Sequence, residues 1–477
     1  MTNLKAAGSV AMYTLGEMIP RILSFLLLPV LTKYLSTSDY GISSYINTVL
    51  TFLLVLTTLS VNTYTLRSYY KIKSEPERKK LLANMFLFLI GWGAIMLCIE
   101  MLLFPVLLNM FSVKVPFYPF FFLALIINFF DVISVIPLVI YRVNEDAKGF
   151  VMLSVGRTIL QYLLILLLVA YFKMGLLGSF LGRLVACLPF AVIYFLIIKK
   201  KGIFSINISQ IKKALIFSLP LLPGALSFLV ITILDRVILE RFVSLSDLGI
   251  YSVAATLALT LNIVIQGLYR SFEQKIFRTH NSEGYREFVD KLFKIYIVSL
   301  YVPAFCITLF AREILLFFTT SQYYAAETYV VYLATAVIIS GINIFLGTLL
   351  IADNRRKIVS YVSVISAVFS VIINLVLIKY FGVLGACIAS ILSFLMVCIF
   401  YYNKVMLVQK YLIPQLSFIA VFFASAYLIP DDISTIFMII IKLLLIVAFL
   451  FFAKRVVNIE VPSFVNLKML KPFRNNL

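Results

Sequence analysis

Leu31-Thr-Lys-Tyr-Leu-Ser-Thr-Ser-Asp-Tyr-Gly-Ile42 recurs as Leu239-Glu-Arg-Phe-Val-Ser-Leu-Ser-Asp-Leu-Gly-Ile250, an offset of 208 residues with identity at the Leu, both Ser, the Asp, the Gly and the Ile. A second pair, Gly175-Leu-Leu-Gly178 and Gly382-Val-Leu-Gly385, repeats at an offset of 207. Two distant matches at nearly one offset point to duplication of a unit of about 207 residues. Locally, Ser-x-x-Asp-x-Gly also reads as a helix start, with Ser and Asp capping and Gly relaxing the backbone. The two readings are compatible.

Everything around the two copies is apolar. Of 477 residues, 62% are hydrophobic and 13% charged, against roughly 45–50% and about 25% in soluble domains. That balance excludes an ordinary soluble globular protein. With about 20 residues needed per spanning helix, the apolar runs between charge clusters and Gly or Pro breaks place 14 spans near 8–32, 42–65, 82–108, 116–140, 150–172, 175–198, 214–235, 248–269, 292–311, 327–351, 358–378, 382–402, 412–430 and 433–453. The ninth is the least sharply bounded, because Arg312 and Glu313 fall between two apolar runs. No signal-peptide pattern precedes the first apolar helix, which is expected to be retained.

Lys and Arg leave a net charge of +20. In a soluble chain that excess would suggest nucleic acid; here the basic residues concentrate in short loops, and no nucleic-acid partner is expected. With a cytoplasmic N-terminus, 30 of the 41 Lys and Arg fall in inside segments and 7 in outside segments, as the positive-inside rule requires. Both termini are then cytoplasmic. Each repeat holds an even number of spans, so the two copies enter the membrane in one direction, related by an axis along its normal, as in alternating-access transporters. The expected fold is an all-α integral membrane protein: a six-helix lobe at 1–201, a second at 202–411, two appended helices at 412–453, and a basic cytoplasmic tail at 454–477.

A charge in hydrocarbon costs at least ~2.5–3.5 kcal/mol and should face the bundle interior, a wet cavity or a partner. Glu17 and Arg21 are four apart on the first span, within pairing reach. They read either as a permanent ion pair or as an arginine that binds an anionic head group and a glutamate that competes for it. Arg157 and Arg183 each lie about 10–12 Å from a span end. They either snorkel to lipid head groups or, with Arg21, present cations to an anion crossing the membrane. Arginine suits phosphate because its planar fork binds oxygens in pairs. Asp131, in the middle of the fourth span, is the first candidate for a titrating or cation-binding group, with Glu17 beside it as the second; otherwise it partners one of the arginines. Glu100 is similar but nearer the outer end. Asp235, Arg236, Glu240 and Arg241 alternate in sign and read as a solvated rim or, between lobes, as an outer gate, with Arg270 its inner counterpart. Lys442 reads as a snorkelling lysine, and Gly178-x-x-x-Gly182 as a close-packing face.

The five cysteines, Cys98, Cys187, Cys306, Cys387 and Cys398, are scattered through apolar runs and read as small core residues, with neither a disulfide framework nor a metal spacing. The one histidine, His280, falls in a cytoplasmic loop. No metal and no cofactor are expected.

Gly8-Ser-Val-Ala-Met-Tyr-Thr-Leu-Gly16, Phe25-Leu-Leu-Leu-Pro-Val-Leu-Thr32, the Tyr34-to-Gly41 motif, Leu234-Asp-Arg-Val-Ile-Leu239 and Gly249-Ile-Tyr-Ser252 together resemble the polysaccharide biosynthesis (O-antigen flippase, Wzx-like) family, which shares a superfamily with multidrug exporters and the lipid II flippase. The resemblance implies a bacterial plasma (inner) membrane protein, not an enzyme. It would flip an undecaprenyl-diphosphate-linked oligosaccharide to the outer leaflet for surface polysaccharide such as O-antigen lipopolysaccharide, capsule or exopolysaccharide. Membrane lipids, a polysaccharide polymerase and a chain-length regulator would be its partners. The matched motifs are packing and turn elements and assign no binding residue. Joined to the charges, this reading puts the diphosphate at Arg21, Arg157 and Arg183, with Asp131 or Glu17 coupling the cycle to an ion. Two alternatives stand beside it: a cation-coupled multidrug antiporter, which predicts an acidic, aromatic cavity, and a non-transporting component of polysaccharide assembly. A membrane polymerase or glycosyltransferase would need a larger outer loop than the segments of about a dozen residues found here, apart from the less sharply bounded 311–327 region.

Overall fold

The computed structural model describes residues 12–13, 16, 18–280, 282–405, 411–427 and 435–457, and every regular element among them is helical. In chain order these are α1 Leu28–Tyr34, α2 Thr37–Thr58, α3 Val61–Lys71, α4 Glu75–Met110, α5 Phe122–Val143, α6 Ala147–Leu166, α7 Gly175–Lys201, α8 Ile208–Ser218, α9 Leu222–Ile233, α10 Asp235–Phe242, α11 Leu245–Leu259, α12 Leu261–Thr279, α13 Tyr285–Leu309, α14 Ala311–Phe318, α15 Glu327–Ala352, α16 Arg356–Lys404, α17 Leu412–Tyr427 and α18 Thr435–Val457. Among the described residues, 10 helices are long and apolar enough to cross a membrane. The chain is a multi-pass membrane protein.

Glycine and left-handed residues decide where apolar helix stops. A continuous α16 of 49 residues would be about 74 Å long, over twice the ~30 Å hydrocarbon thickness. Gly382 (φ 55°, ψ −129°) breaks it between the spans expected at 358–378 and 382–402. Gly175, its counterpart in the first copy, also sits at φ 55°. The span expected at 42–65 is likewise interrupted, because Leu59 and Ser60 both take left-handed backbone between α2 and α3.

The chain divides into two compact units: 1–256 with 315–326 and 363–390, and 257–314 with 327–362 and 391–477. In the first, Leu81, Met85, Phe86 and Leu89 of α4 pack with Val132, Ile136 and Ile140 of α5 and Ile198 of α7 in one core. Asn84, buried at its edge, donates to the Asn207 carbonyl (3.1 Å) and to Gln210 Oε1 (2.8 Å), fixing the start of α8. Gly178 and Gly182 of α7 lie against the backbone of Leu168 and of Leu164–Ile165, so the small-residue face does bring two helices close. Facing outward are Leu102, Met110 and Met152, each more than 70% exposed, as expected of a lipid-facing surface.

The two sequence copies meet within this unit. In the first, the Asp39 N–H donates to Ser36 Oγ (3.1 Å) and the Ser36 N–H returns to the Asp39 carboxylate (3.2 Å), a capping box. In the second, the Asp247 N–H donates to Ser244 Oγ at 3.0 Å. The helices these caps start, α2 and α11, then approach reciprocally: a Cβ on Gly41 would stand 2.0 Å from the Leu245 carbonyl oxygen, and one on Gly249 1.9 Å from that of Thr37. Thr37 and Ser246 hydroxyls are 2.6 Å apart, and Ser252 Oγ donates to Ser44 Oγ at 2.7 Å. Ser44 and Ser252 are themselves separated by 208 residues, the offset of the sequence repeat.

In the second unit α13 is the centre. Phe293 and Tyr296 pack on Phe345 of α15, and the Tyr296 hydroxyl donates to the Gly341 carbonyl at 2.8 Å. Tyr301 stacks on Phe418 of α17, and Phe305 on Phe449 of α18 at 4.2 Å. Lys442 of α18 does not snorkel. It is buried and donates to both carboxylate oxygens of Glu313 on α14 at 2.6 and 2.8 Å. The sequence reading missed this pair because its partners lie 129 residues apart. Cys98 also departs from its expected place in the core and is exposed, whereas Cys187, Cys387 and Cys398 are buried.

Candidate functional site: an arginine–aspartate–arginine cluster

α5, α6 and α7 each contribute one ionised side chain to a single cluster. Asp131 receives Arg157 Nη2 on Oδ1 and Arg183 Nη2 on Oδ2, the latter at 3.0 Å. Arg183 Nη1 also donates to Asn47 Oδ1 of α2 at 2.8 Å, and Arg157 Nη2 contacts Cys187 Sγ at 3.1 Å. Helical spacing explains the convergence on α7, where Arg183 and Cys187 are one turn apart and share a face. Asp131 sits one turn before Ser134, whose hydroxyl is turned away onto the Asp131 backbone carbonyl at 2.7 Å. Both carboxylate oxygens therefore remain for the guanidinium groups.

Electrostatically, two cations share one anion and the trio keeps a net charge of +1. Each guanidinium has five N–H donors, and Asp131 accepts from one nitrogen of each. Donors remain on two planar forks held in fixed relation, the arrangement that suits a multi-oxygen anion. With 15–24% of their side-chain surface accessible, the three groups are sheltered without being sealed.

The remaining candidates lie elsewhere. Arg21 is exposed and stands outside the hydrogen-bonded cluster. Tyr162 hydrogen-bonds Ser24, one turn after Arg21, and lies near Arg183. Glu17, its expected partner, is outside the described residues. Asp235 and Arg236 form a buried pair with Nη1 to Oδ1 at 3.2 Å, and the Tyr251 hydroxyl donates to the other carboxylate oxygen. Glu240 is buried as well and accepts from the Lys114 N–H. Burial pushes its carboxyl up, against the lowering effect of that N–H and of the Lys114 and Arg241 charges. The solvated-rim expectation therefore fails for Asp235, Arg236 and Glu240, because α10 turns them toward neighbouring helices. It holds for Arg241, which is exposed and donates to the Phe111 carbonyl at 2.6 Å. Arg270, half-buried on α12, belongs to the second unit. Among the described residues, no group of three His, Cys, Asp or Glu could hold a metal ion.

Sequence reasoning missed Asn47, Cys187 and Tyr162. Asn47, a polar residue in an apolar run, was the one visible signal.

The model of the polysaccharide biosynthesis protein family matches residues 7–270. The chain belongs to that family. This family member is 24% identical over 287 residues to the capsular polysaccharide biosynthesis protein CapF of Staphylococcus aureus, covering 58% of this chain and 72% of that one. Its fold is similar to that of the lipid II flippase MurJ in an inward closed conformation, with TM-score 0.73 and 15% identity over 93% of this chain and 98% of that one. It is also similar to an inward-facing multidrug resistance MATE family transporter, with TM-score 0.67 and 13% identity over 83% of this chain and 99% of that one.

Proposed function

We propose that this family member is a lipid-linked oligosaccharide flippase. It would carry undecaprenyl-diphosphate-linked repeat units from the cytoplasmic to the outer leaflet of a bacterial inner membrane, for O-antigen, capsule or exopolysaccharide assembly. The observation that carries the reading is the Arg157–Asp131–Arg183 cluster: an intramembrane site with surplus positive charge on two guanidinium groups fits a diphosphate and repels a cationic drug. The family, the relative named for capsular polysaccharide and the fold of a lipid II flippase all agree with it. A cation-coupled multidrug antiporter is the second reading, favoured by the MATE-like fold and opposed by the basic cluster. The reading is of a transporter rather than an enzyme, with membrane lipids, a polymerase and a chain-length regulator as neighbours.

In this proposal 14 spans form two six-helix lobes, 1–201 and 202–411, with 412–453 appended, both termini cytoplasmic and the lobes related by duplication. Support comes from the reciprocal Gly41–Leu245 and Gly249–Thr37 approach and from the shared positive φ of Gly175 and Gly382. The tail at 458–477 lies outside the described residues. Arg21 assists diphosphate binding from the first helix. Asp235 and Arg236, beside the α2–α11 contact, act as the outer gate, and Arg270 as its inner counterpart. Asp131 holds the two arginines apart and oriented rather than coupling the cycle to an ion, and Glu17 lies outside the described residues.

The test is gene deletion complemented with wild type, Arg157→Ala, Arg183→Ala or Asp131→Asn, with membrane expression checked. Both surface polymer and the lipid-linked oligosaccharide pool are measured. Deletion should abolish polymer while complete lipid-linked units accumulate, and either arginine variant should fail to reverse this. Unchanged polymer and pool on deletion refute the flippase. Full rescue by both arginine variants removes the cluster from substrate binding.

A further inference from the structure

Glu100 is the anomaly in this membrane domain. It lies on α4, ten residues before Met110 and so about 15 Å from the helix end. It is 5% exposed, and its Oε1 has no hydrogen-bond partner. The other buried acids within the described residues are answered, Asp235 by Arg236 and Tyr251 and Glu240 by the Lys114 N–H, and half-buried Asp131 is held by two arginines.

The elements packed on α4 are α2, α3, α5, α7, α8 and the turn Phe117–Phe121. None supplies a counter-charge. Asp39 is engaged in its own capping box, and Asp131 and Arg183 bind each other. Cys187 is taken by Arg157, and Arg78 by the Ile72 carbonyl. Arg67 lies over Phe217, Arg142 over Phe150 and Lys201 over Tyr141, all in segments read as cytoplasmic. Beyond the other end of α4, Lys114 Nζ is spent on the Val243 carbonyl. Leaving a carboxylate with a buried, unpartnered oxygen in such a place costs far more than a neutral acid, and a buried polar atom left unsatisfied calls for a reason.

We propose that Glu100 is the proton-coupling group of this transporter. It holds a proton in the conformation described here and releases it when the alternate conformation admits water to α4. The step is a simple transfer: the carboxyl O–H bond breaks, the proton passes to water on one side of the membrane, and the carboxylate takes up a proton from the other side on return. Asp131 is less suited, because a proton on either oxygen would have to displace a guanidinium. The inference rests on the flippase reading for the cargo, while its own test needs no cargo.

The sole tryptophan, Trp92, lies eight residues away on the same helix with its Nε1 buried and unpartnered, about 12 Å along the axis. It reports on α4. Purified full-length protein in nanodiscs is titrated with acid and base while Trp92 emission is followed. Wild type and His280→Gln should show a reversible transition, Glu100→Asp a displaced one, and Glu100→Gln none. In complemented cells Glu100→Asp should restore surface polymer and Glu100→Gln should not, although glutamine keeps the size and neutrality of the protonated acid. The same transition in Glu100→Gln, or full rescue by glutamine, overturns the proposal. If deletion leaves polymer unchanged while the Glu100-dependent transition persists, the cargo reading fails and the proton site stands.

Discussion

Placing a methyl group on Gly41 should force α2 and α11 apart by a distance the structure specifies. The added Cβ would lie 2.0 Å from the Leu245 carbonyl oxygen, whereas carbon and oxygen approach no closer than about 3.3 Å. The helices must separate by roughly 1.3 Å, and the atom in the way is backbone, so no side chain can swing aside. That separation stretches the Thr37–Ser246 and Ser44–Ser252 hydroxyl contacts, now 2.6 and 2.7 Å, to about 4 Å, beyond hydrogen-bonding range. Two lost bonds at about 1 kcal/mol each, with about 1 kcal/mol of lost packing, give about 3 kcal/mol. Gly249→Ala meets the Thr37 carbonyl at 1.9 Å and should cost the same. The double variant should cost little more than either single one, because one separation accommodates both methyl groups and breaks the same two bonds. The assay is thermal unfolding of purified protein for the wild type, both single variants and the double, read as a double-mutant cycle. A cost below about 0.5 kcal/mol for either variant, or costs that simply add, would refute the reciprocal contact.

Lys442→Met alone leaves Glu313 without its cation inside the second unit. It should destabilise by about 3 kcal/mol, the low end for a buried pair because Glu313 is 24% accessible; Lys442→Met with Glu313→Leu should recover most of that, checked by thermal unfolding in the same detergent. Gly382→Ala places a side chain at φ 55°, ψ −129°, backbone open essentially to glycine. It should cost about 1–3 kcal/mol and lower expression, whereas Gly91→Ala, with nothing within 4 Å of its Cβ, should cost nothing by the same measurement.

Helix formation and the apolar runs long enough to cross a membrane depend on neighbouring residues, and a run can be read along the chain. The repeated Ser-x-x-Asp-x-Gly showed by itself where two helices begin, because a cap is made within four residues. It did not show that those beginnings would press on one another, since Gly41 and Leu245 are brought together only by the fold.

The charges separate the same way. Sequence alone marked Asp131, Arg157 and Arg183 as costly in hydrocarbon and so in need of partners, because desolvation is a property of a residue in its span. Which partners they found was decided by tertiary structure: α5, α6 and α7 converge on one face and turn three separate candidates into one cation-rich trio. The fold likewise moved Lys442 from a lipid-facing position to Glu313, drew Asp235 and Arg236 in from the surface, and left Glu100 with none. Composition and periodicity determine that a chain must enter a membrane. The pairing of its few charges is set by helix rotation and packing between distant segments, and a one-dimensional pattern carries no record of either.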